Sequence, residues 1–275
     1  MARSLVPCCV TLCLFFASTS SADHHEKGFF SIFDGKTLTN WDANPKFWSV
    51  EDGAITGMTT KENPTSGNTF AIWRGGMVDD FELRLQFKIV GGNSGIQYRS
   101  KDLGKWVVGG YQADFESGDT YSGILYEEKG RGILAQRGQV TEVVAAADDE
   151  HRVQVVASVG DTNDINQVIK KEDWNNYTII ARGNQLTHVI NGRMTCQVID
   201  SDAAHAAKSG ILALQVHAGP PMEVQFKDLR IKPLNGISVA GEWLFQVDVG
   251  GSTGEPRFAF QAVSYTHLTL PTKIV

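Results

Sequence analysis

Between residues 29 and 233 the chain runs in short stretches rich in Val, Ile, Phe, Tyr and Thr, separated by Gly, Asn and Asp, which is the pattern of successive β-strands. The stretch FELRLQFKI (81–89) alternates apolar and polar residues with period two, turning one face to a core and the other to water. NNYTIIAR (175–182), QLTHVI (185–190) and MEVQFKDLRI (222–231) alternate in the same way. Gly183-Asn184 and Asn191-Gly192 lie between such runs and accept the positive φ that tight hairpins require. The only helical hints, residues 145–150 and 203–208, are too short to organise a domain, so parallel βαβ architecture is excluded. About a dozen strands in one domain predict an all-β fold, two antiparallel sheets stacked as a sandwich with few short helices. No repeat of 20 to 50 residues suggests a propeller.

The ends read differently. Arg3, an apolar run over 5–16 and small residues up to Ala22 predict a secretory signal peptide over residues 1–22, cleaved near Ala22. The apolar run is shorter than the roughly 20 residues that span a bilayer, so a retained anchor is the weaker reading. The expected location is secreted or periplasmic, with no membrane association after cleavage. Residues 28–234 form the expected sandwich. A second alternating pattern over 235–262, with EWLFQVDV before Gly250-Gly251 and RFAFQ after, predicts the truncated start of a second β-domain. Residues 263–275 resemble translated sequencing-adapter sequence, or form a short strand with a polar tail; no function is placed there.

Cys8, Cys9 and Cys13 lie in the signal, leaving Cys196 as a small apolar strand residue, with no Cys-His pairing suggested near it. The histidines at 151, 188 and 205 are expected at the surface. With 31 acidic against 25 basic residues, a net charge of −6 and no Lys/Arg block, nucleic acid is excluded as a partner. A chain 42% hydrophobic and 20% charged is neither disordered nor dependent on disulfides.

Three strands depart from the ordinary pattern. Alternation puts Gly95, Gln97 and Arg99 on one face of 93–100, Gln112, Asp114 and Glu116 on one face of 110–116, and Ala213, Gln215 and His217 on one face of 210–217. Planar amides and a guanidinium beside glycine suit paired hydrogen bonds to sugar hydroxyls, with glycine letting a ring approach. An ordinary wet face with scattered polar residues is the other reading. Asp114 and Glu116, i and i+2 on a strand, stand about 6.5 to 7 Å apart along the backbone. That spacing permits a retaining pair or the lower end of an inverting pair, and equally a loop entry. Metal-ligand spacings are poor, and no metal site or required cofactor is assigned; dependence on a divalent metal is left open. His24-His25 would follow cleavage as a solvated tail. The glycines of GGNSG (91–95) join two strands and open no helix, so they form no phosphate loop.

Taken in order, FDGKTLTNW (33–41), WSVEDGAITG (48–57), FELRLQF (81–87), NSGIQYR (93–99), GYQAD (110–114), DWNNY (173–177), ING (190–192), LQVH (214–217) and VQFKDLRI (224–231) resemble the 3-keto-disaccharide hydrolase domain family, long catalogued as a domain of unknown function. The resemblance covers about 28–234 and implies a concanavalin-like, jelly-roll sandwich and a secreted hydrolase. It implies cleavage of 3-keto-glycosides by abstraction of the C2 proton, elimination of the C1 substituent and hydration. On that reading His217 is base or acid, Asp114 its partner carboxylate, and Arg99 with Gln97 the donors to enolate and hydroxyls. Asn93, Gln112, Glu116, Tyr126 and Gln215 contact substrate. Many members carry Glu where this chain has Gln112, so any carboxylate role there is lost or has moved to Asp114. Two alternatives stay open: a non-catalytic, lectin-like carbohydrate-binding module, and a conventional glycosidase using Asp114 and Glu116.

Overall fold

The computed structural model describes residues 27–147 and 150–234, together with the backbone of four short strands between 241 and 260. The expected signal peptide, His24-His25 and the 263–275 tail lie outside the described residues. In chain order the strands are β1 (Phe30–Ser31), β2 (Trp41–Asp42), β3 (Trp48–Glu51), β4 (Ala54–Thr59), β5 (Thr69–Trp73), β6 (Phe81–Val90), β7 (Asn93–Asp102), β8 (Val108–Glu116) and β9 (Leu125–Glu128). They continue as β10 (Gly132–Ala135), β11 (Gln139–Ala145), β12 (His151–Ser158), β13 (Asn175–Arg182), β14 (Gln185–Ile190), β15 (Arg193–Asp200), β16 (Ile211–Val216) and β17 (Met222–Pro233). β18 (Gly241–Leu244) pairs with β21 (Arg257–Phe260), and β19 (Val247–Val249) with β20 (Ser252–Gly254).

Two sheets form the sandwich. A ten-stranded sheet runs β12-β11-β15-β14-β13-β6-β17-β4-β3, with β1 also on β17, and a seven-stranded sheet runs β10-β9-β8-β7-β16-β5-β2. The all-β expectation holds, with one exception to its antiparallel rule among the described residues: β11 lies parallel to β15. Alternation drives the packing. In β6, Phe81, Leu83, Leu85, Phe87 and Ile89 are buried between the sheets while the residues between them are not. Phe87 meets Phe115 of the other sheet at 4.0 Å between ring centroids, and Phe226 meets the same ring at 5.9 Å. Each such ring removed from water contributes on the order of 1.5–3 kcal/mol.

Neither helical hint forms an α-helix among the described residues. Between β11 and β12, Ala146 N–H donates to Glu150 O (2.9 Å), and residues 203–208 contain a turn closed by Ala206 N–H on Asp202 O (2.8 Å). The one α-helix among the described residues, α1 (Thr162–Asn166), is started by Asp161, whose carboxylate accepts from the backbone of Asn163 and Asp164.

His188 corrects the expectation of a surface histidine. It is 0% exposed, with Nε2 3.0 Å from the Tyr98 hydroxyl and Nδ1 3.2 Å from Ile124 O and 3.6 Å from Cys196 Sγ. A Cys-His pair therefore does exist, formed across β14 and β15. Burial depresses the imidazole to about 3 and raises the thiol, so both stay neutral in a sealed core.

One local feature shapes the outer surface of the seven-stranded sheet. β7 and β8 pair regularly up to Tyr98 and Tyr111, then slip to Lys101 opposite Gly109. The slip is a bulge in which Arg99 takes φ +46° and Gly110 φ +145°. Beyond it the hairpin tip folds over the outer face, and Val108 packs there on Phe70, Ile72 and Ala213. The Trp106 carbonyl accepts from Phe70 N–H at 3.0 Å, and its indole N–H donates to Asp42 at 2.7 Å, latching the tip to the sheet edge.

Candidate functional site

The polar residues of β7, β8 and β16 meet on that outer face. Pairing sets Gly95 beside Asp114 and Gln97 beside Gln112, Gln97 beside Ala213, and Gln112 beside Tyr126; directly paired residues project to the same side. Gln97 Nε2 donates to Gln112 Oε1 (2.7 Å), as does Gln215 Nε2 (3.0 Å). Gln112 Nε2 donates to Asp114 Oδ1 at 2.5 Å, Asn93 Nδ2 to Asp114 Oδ2 at 3.2 Å, and the Ser100 hydroxyl to Gln97 Oε1 at 2.7 Å. The network is closed off from solvent: Gln97 and Gln215 are 0% exposed and Asp114 is 6% exposed. Gly95 does not open the floor to a sugar ring; a Cβ there would stand 2.4 Å from Gln112 Cγ, so its missing side chain makes room for Gln112.

Asp114 is the chemically distinctive group. Burial pushes its carboxyl up to about 7, with the neighbouring charges of Glu116 and Glu128 adding to the rise and the hydrogen bonds from Gln112 and Asn93 opposing it. Its hydrogen bonds go to those two amides and not to His217. His217, half-buried just past the end of β16, has Nδ1 2.6 Å from Ala218 O. The carbonyl only accepts, so Nδ1 carries a proton and Nε2 is the ring nitrogen not engaged by it. Glu116 is engaged in its loop, where Oε1 accepts from the backbone of Thr120 (2.7 Å) and Tyr121 (3.0 Å).

Arg99 does not share the face that alternation assigns it. The bulge turns it away: Nε donates to Asp79 O (2.6 Å), Nη1 to Gly183 O (2.7 Å) and Ala207 O (3.3 Å), and Nη2 pairs with Asp80 at 2.7 Å. It is 2% exposed and ties β7 to the β13–β14 turn of the opposite sheet. Period two fails wherever a bulge inserts a residue, and no strong sequence signal marks one here.

Glu128 and Asn68 belong to the site, although pattern reading passed over them. Glu128, buried opposite Gly110, receives Asn68 Nδ2 at 3.4 Å, and Asn68 Oδ1 accepts from Ala218 N–H at 3.0 Å, beside His217. Tyr126, half-buried, has its hydroxyl pKa raised by burial and then by the charges of Glu128 and Asp114. Alternation in LYEE (125–128) does align Tyr126 with Glu128, so that part was legible; Asn68, in a loop, was not. Among the described residues no three His, Cys, Asp or Glu side chains gather as a metal site.

Residues 28–232 match the family described as the 3-keto-alpha-glucoside-1,2-lyase-like domain. A curated relative, a 3-keto-disaccharide hydrolase of Bacteroides thetaiotaomicron, is 35% identical over 88 residues, which is 28% of this chain and 29% of the relative. The matched stretch thus spans less than a third of either protein. Among solved structures, the chain is similar to a Parabacteroides distasonis protein named provisionally as a glycosyl hydrolase, at 20% identity and TM-score 0.49, covering 75% of this chain and 99% of that one. It is also similar to the carbohydrate-binding module CBM66 of Bacillus subtilis, at 13% identity and TM-score 0.42, covering 74% and 95%.

Proposed function

Because the chain belongs, over residues 28–232, to the 3-keto-alpha-glucoside-1,2-lyase-like domain family, we propose that it is a secreted, carbohydrate-active enzyme that cleaves 3-keto-glycosides. The observation that carries this reading is Asp114, a buried carboxyl titrating at about 7 within a sheet-face network of amides. A carboxyl with that pKa takes and returns a proton near neutral pH, as elimination followed by hydration demands.

A ketone at C3 acidifies the hydrogen on C2. A base removes that proton and the C–H electrons form an enolate; the enolate collapses, restoring the ketone and forming C1=C2 as the C1–O bond breaks. The leaving oxygen takes a proton from an acid, and water then adds its hydroxyl to C1 and a hydrogen to C2. We assign proton transfer to Asp114 and to His217 Nε2, and substrate hydrogen bonds to the half-buried Tyr126 and to the half-buried Asn93, which donates to Asp114. Gln97, Gln112 and Gln215 hold Asp114 in place from beneath. Arg99, occupied between the sheets, has no step.

The test is a product assay on a 3-keto-disaccharide and on its unoxidised parent, each with and without chelator. Turnover of the keto substrate alone is the expected outcome, falling about 10²-fold or more in His217→Ala and Asp114→Asn. Turnover of the parent at a similar rate selects the conventional glycosidase instead. The full coverage of the amide floor favours a second reading, a binding module whose network serves only shape; saturable binding of both sugars without product selects it.

A further inference from the structure

The outer face of the ten-stranded sheet, on the far side of the sandwich from Asp114, carries a second polar grid. Register places Thr178, Arg84 and Arg230 in one row across β13, β6 and β17, and Asn176 and Gln86 in the next. These residues line a groove of about 310 Å³ together with Glu82 and Asp228. Two arginines stand directly opposite each other on adjacent strands, an arrangement that is unfavourable unless negative charge lies between or beside them. Arg84 has such compensation: its guanidinium pairs with Glu82 at 2.6 Å and stacks 4.6 Å from the Phe29 ring centroid. Arg230 differs, because its Nε is buried and has no hydrogen-bond partner among the described residues. A buried donor left unsatisfied in this way is destabilising, and an acceptor that reaches it relieves that cost.

The bulge in β17 belongs to the same feature. Between Lys227 and Arg230 the register shifts, Asp228 adopts φ +53°, and its carboxylate receives Gln86 Nε2 at 3.0 Å. The bulge thereby delivers a carboxylate to the groove beside the arginines. Guanidinium groups select an oxyanion. The amides of Asn176 and Gln86 and the hydroxyl of Thr178 match the hydroxyls that a bare inorganic ion lacks, while the carboxylate of Asp228 opposes a second negative charge.

From this juxtaposition we infer that the groove between Arg84 and Arg230 binds an acidic saccharide, its carboxylate or sulfate group seated on Arg230. The site is independent of the reaction assigned to Asp114, and its test needs no turnover. The full chain, labelled with ¹⁵N at arginine, is titrated with glucuronate, with inorganic sulfate and with methyl glucoside while the Arg230 Nε–H resonance is followed. Glucuronate produces a saturable downfield shift, sulfate binds more weakly, and methyl glucoside leaves the resonance unmoved. Arg230→Gln weakens glucuronate binding at least tenfold by calorimetry. Asp228→Asn, which keeps Arg230 and removes a negative charge, tightens binding and keeps the proposal testable if the first variant does not fold. Absence of any saturable glucuronate shift, an equal shift with methyl glucoside, or sulfate binding as tightly as glucuronate overturns it.

Discussion

Asp114 and His188 show how two buried titratable residues give one fold opposing responses to pH. Asp114 titrates at about 7 instead of 3.8, so the folded state holds a proton that the unfolded chain has already released. Stability therefore falls as pH rises between those values, by about 1.4 kcal/mol per pH unit at most. His188 titrates at about 3 instead of 6.5, so the unfolded chain gains a proton that the folded state refuses, and stability falls as pH drops through that window. The two slopes offset each other between about pH 4 and 6.5. Asp114→Asn removes the first and keeps an acceptor for Gln112. The variant is expected to be more stable than the parent at pH 8 and to lose stability steadily on acidification below about pH 6.5, read by urea denaturation across pH. A curve parallel to the parent's contradicts the raised carboxyl.

The β7–β8 hairpin carries most of the polar network, and its far end packs on Phe70, Ile72 and Ala213 of the same face. Its bend depends on Gly110, where a Cβ would stand 2.6 Å from Ser100 Oγ at φ +145°, and the seat of Gln112 depends on Gly95. Gly110→Ala is expected to destabilise by about 1–3 kcal/mol through strain and overpacking. Gly95→Ala is expected to displace Gln112 and free its bond to Asp114, moving the Asp114 titration seen by carbonyl NMR. An unchanged titration there means that Gln112 is not what positions the carboxyl. Alternation in NSGIQYR and GYQAD made Gln97, Gln112 and Asp114 legible as one face because β7 and β8 are regular up to Tyr98 and Tyr111. Arg99 leaves that face because the register changes directly after Tyr98.

At the scale of the whole molecule, the sheets are joined by the aromatic core and by a few buried ionic ties. Arg99 links β7 to Asp80 and to the β13–β14 turn, while Arg131 holds Glu127 and Asp200 at 2.6 Å each. Arg99→Ala removes the guanidinium from Asp80 and leaves three carbonyls without that donor, a loss of about 3–5 kcal/mol of unfolding free energy, read by urea denaturation. Lysine at 99 is expected to restore only a small part, since one ammonium cannot reproduce the fork that meets Asp79, Asp80 and Gly183. A variant as stable as the parent shows that the tie is not what holds the sheets together there.

The sequence by itself determined the class of fold and the polar face, because strand pairing has a fixed period of two, which β6 and β13 obey throughout and β7 and β8 obey in their pairing up to the bulge. It did not determine what covers that face, where Arg99 points, that His188 meets Cys196, or that Asn68 reaches Glu128. Each of those depends on contacts between residues distant in sequence, set by bulges and by the stacking of two sheets. A local period carries no information about them, and only the tertiary structure decided them.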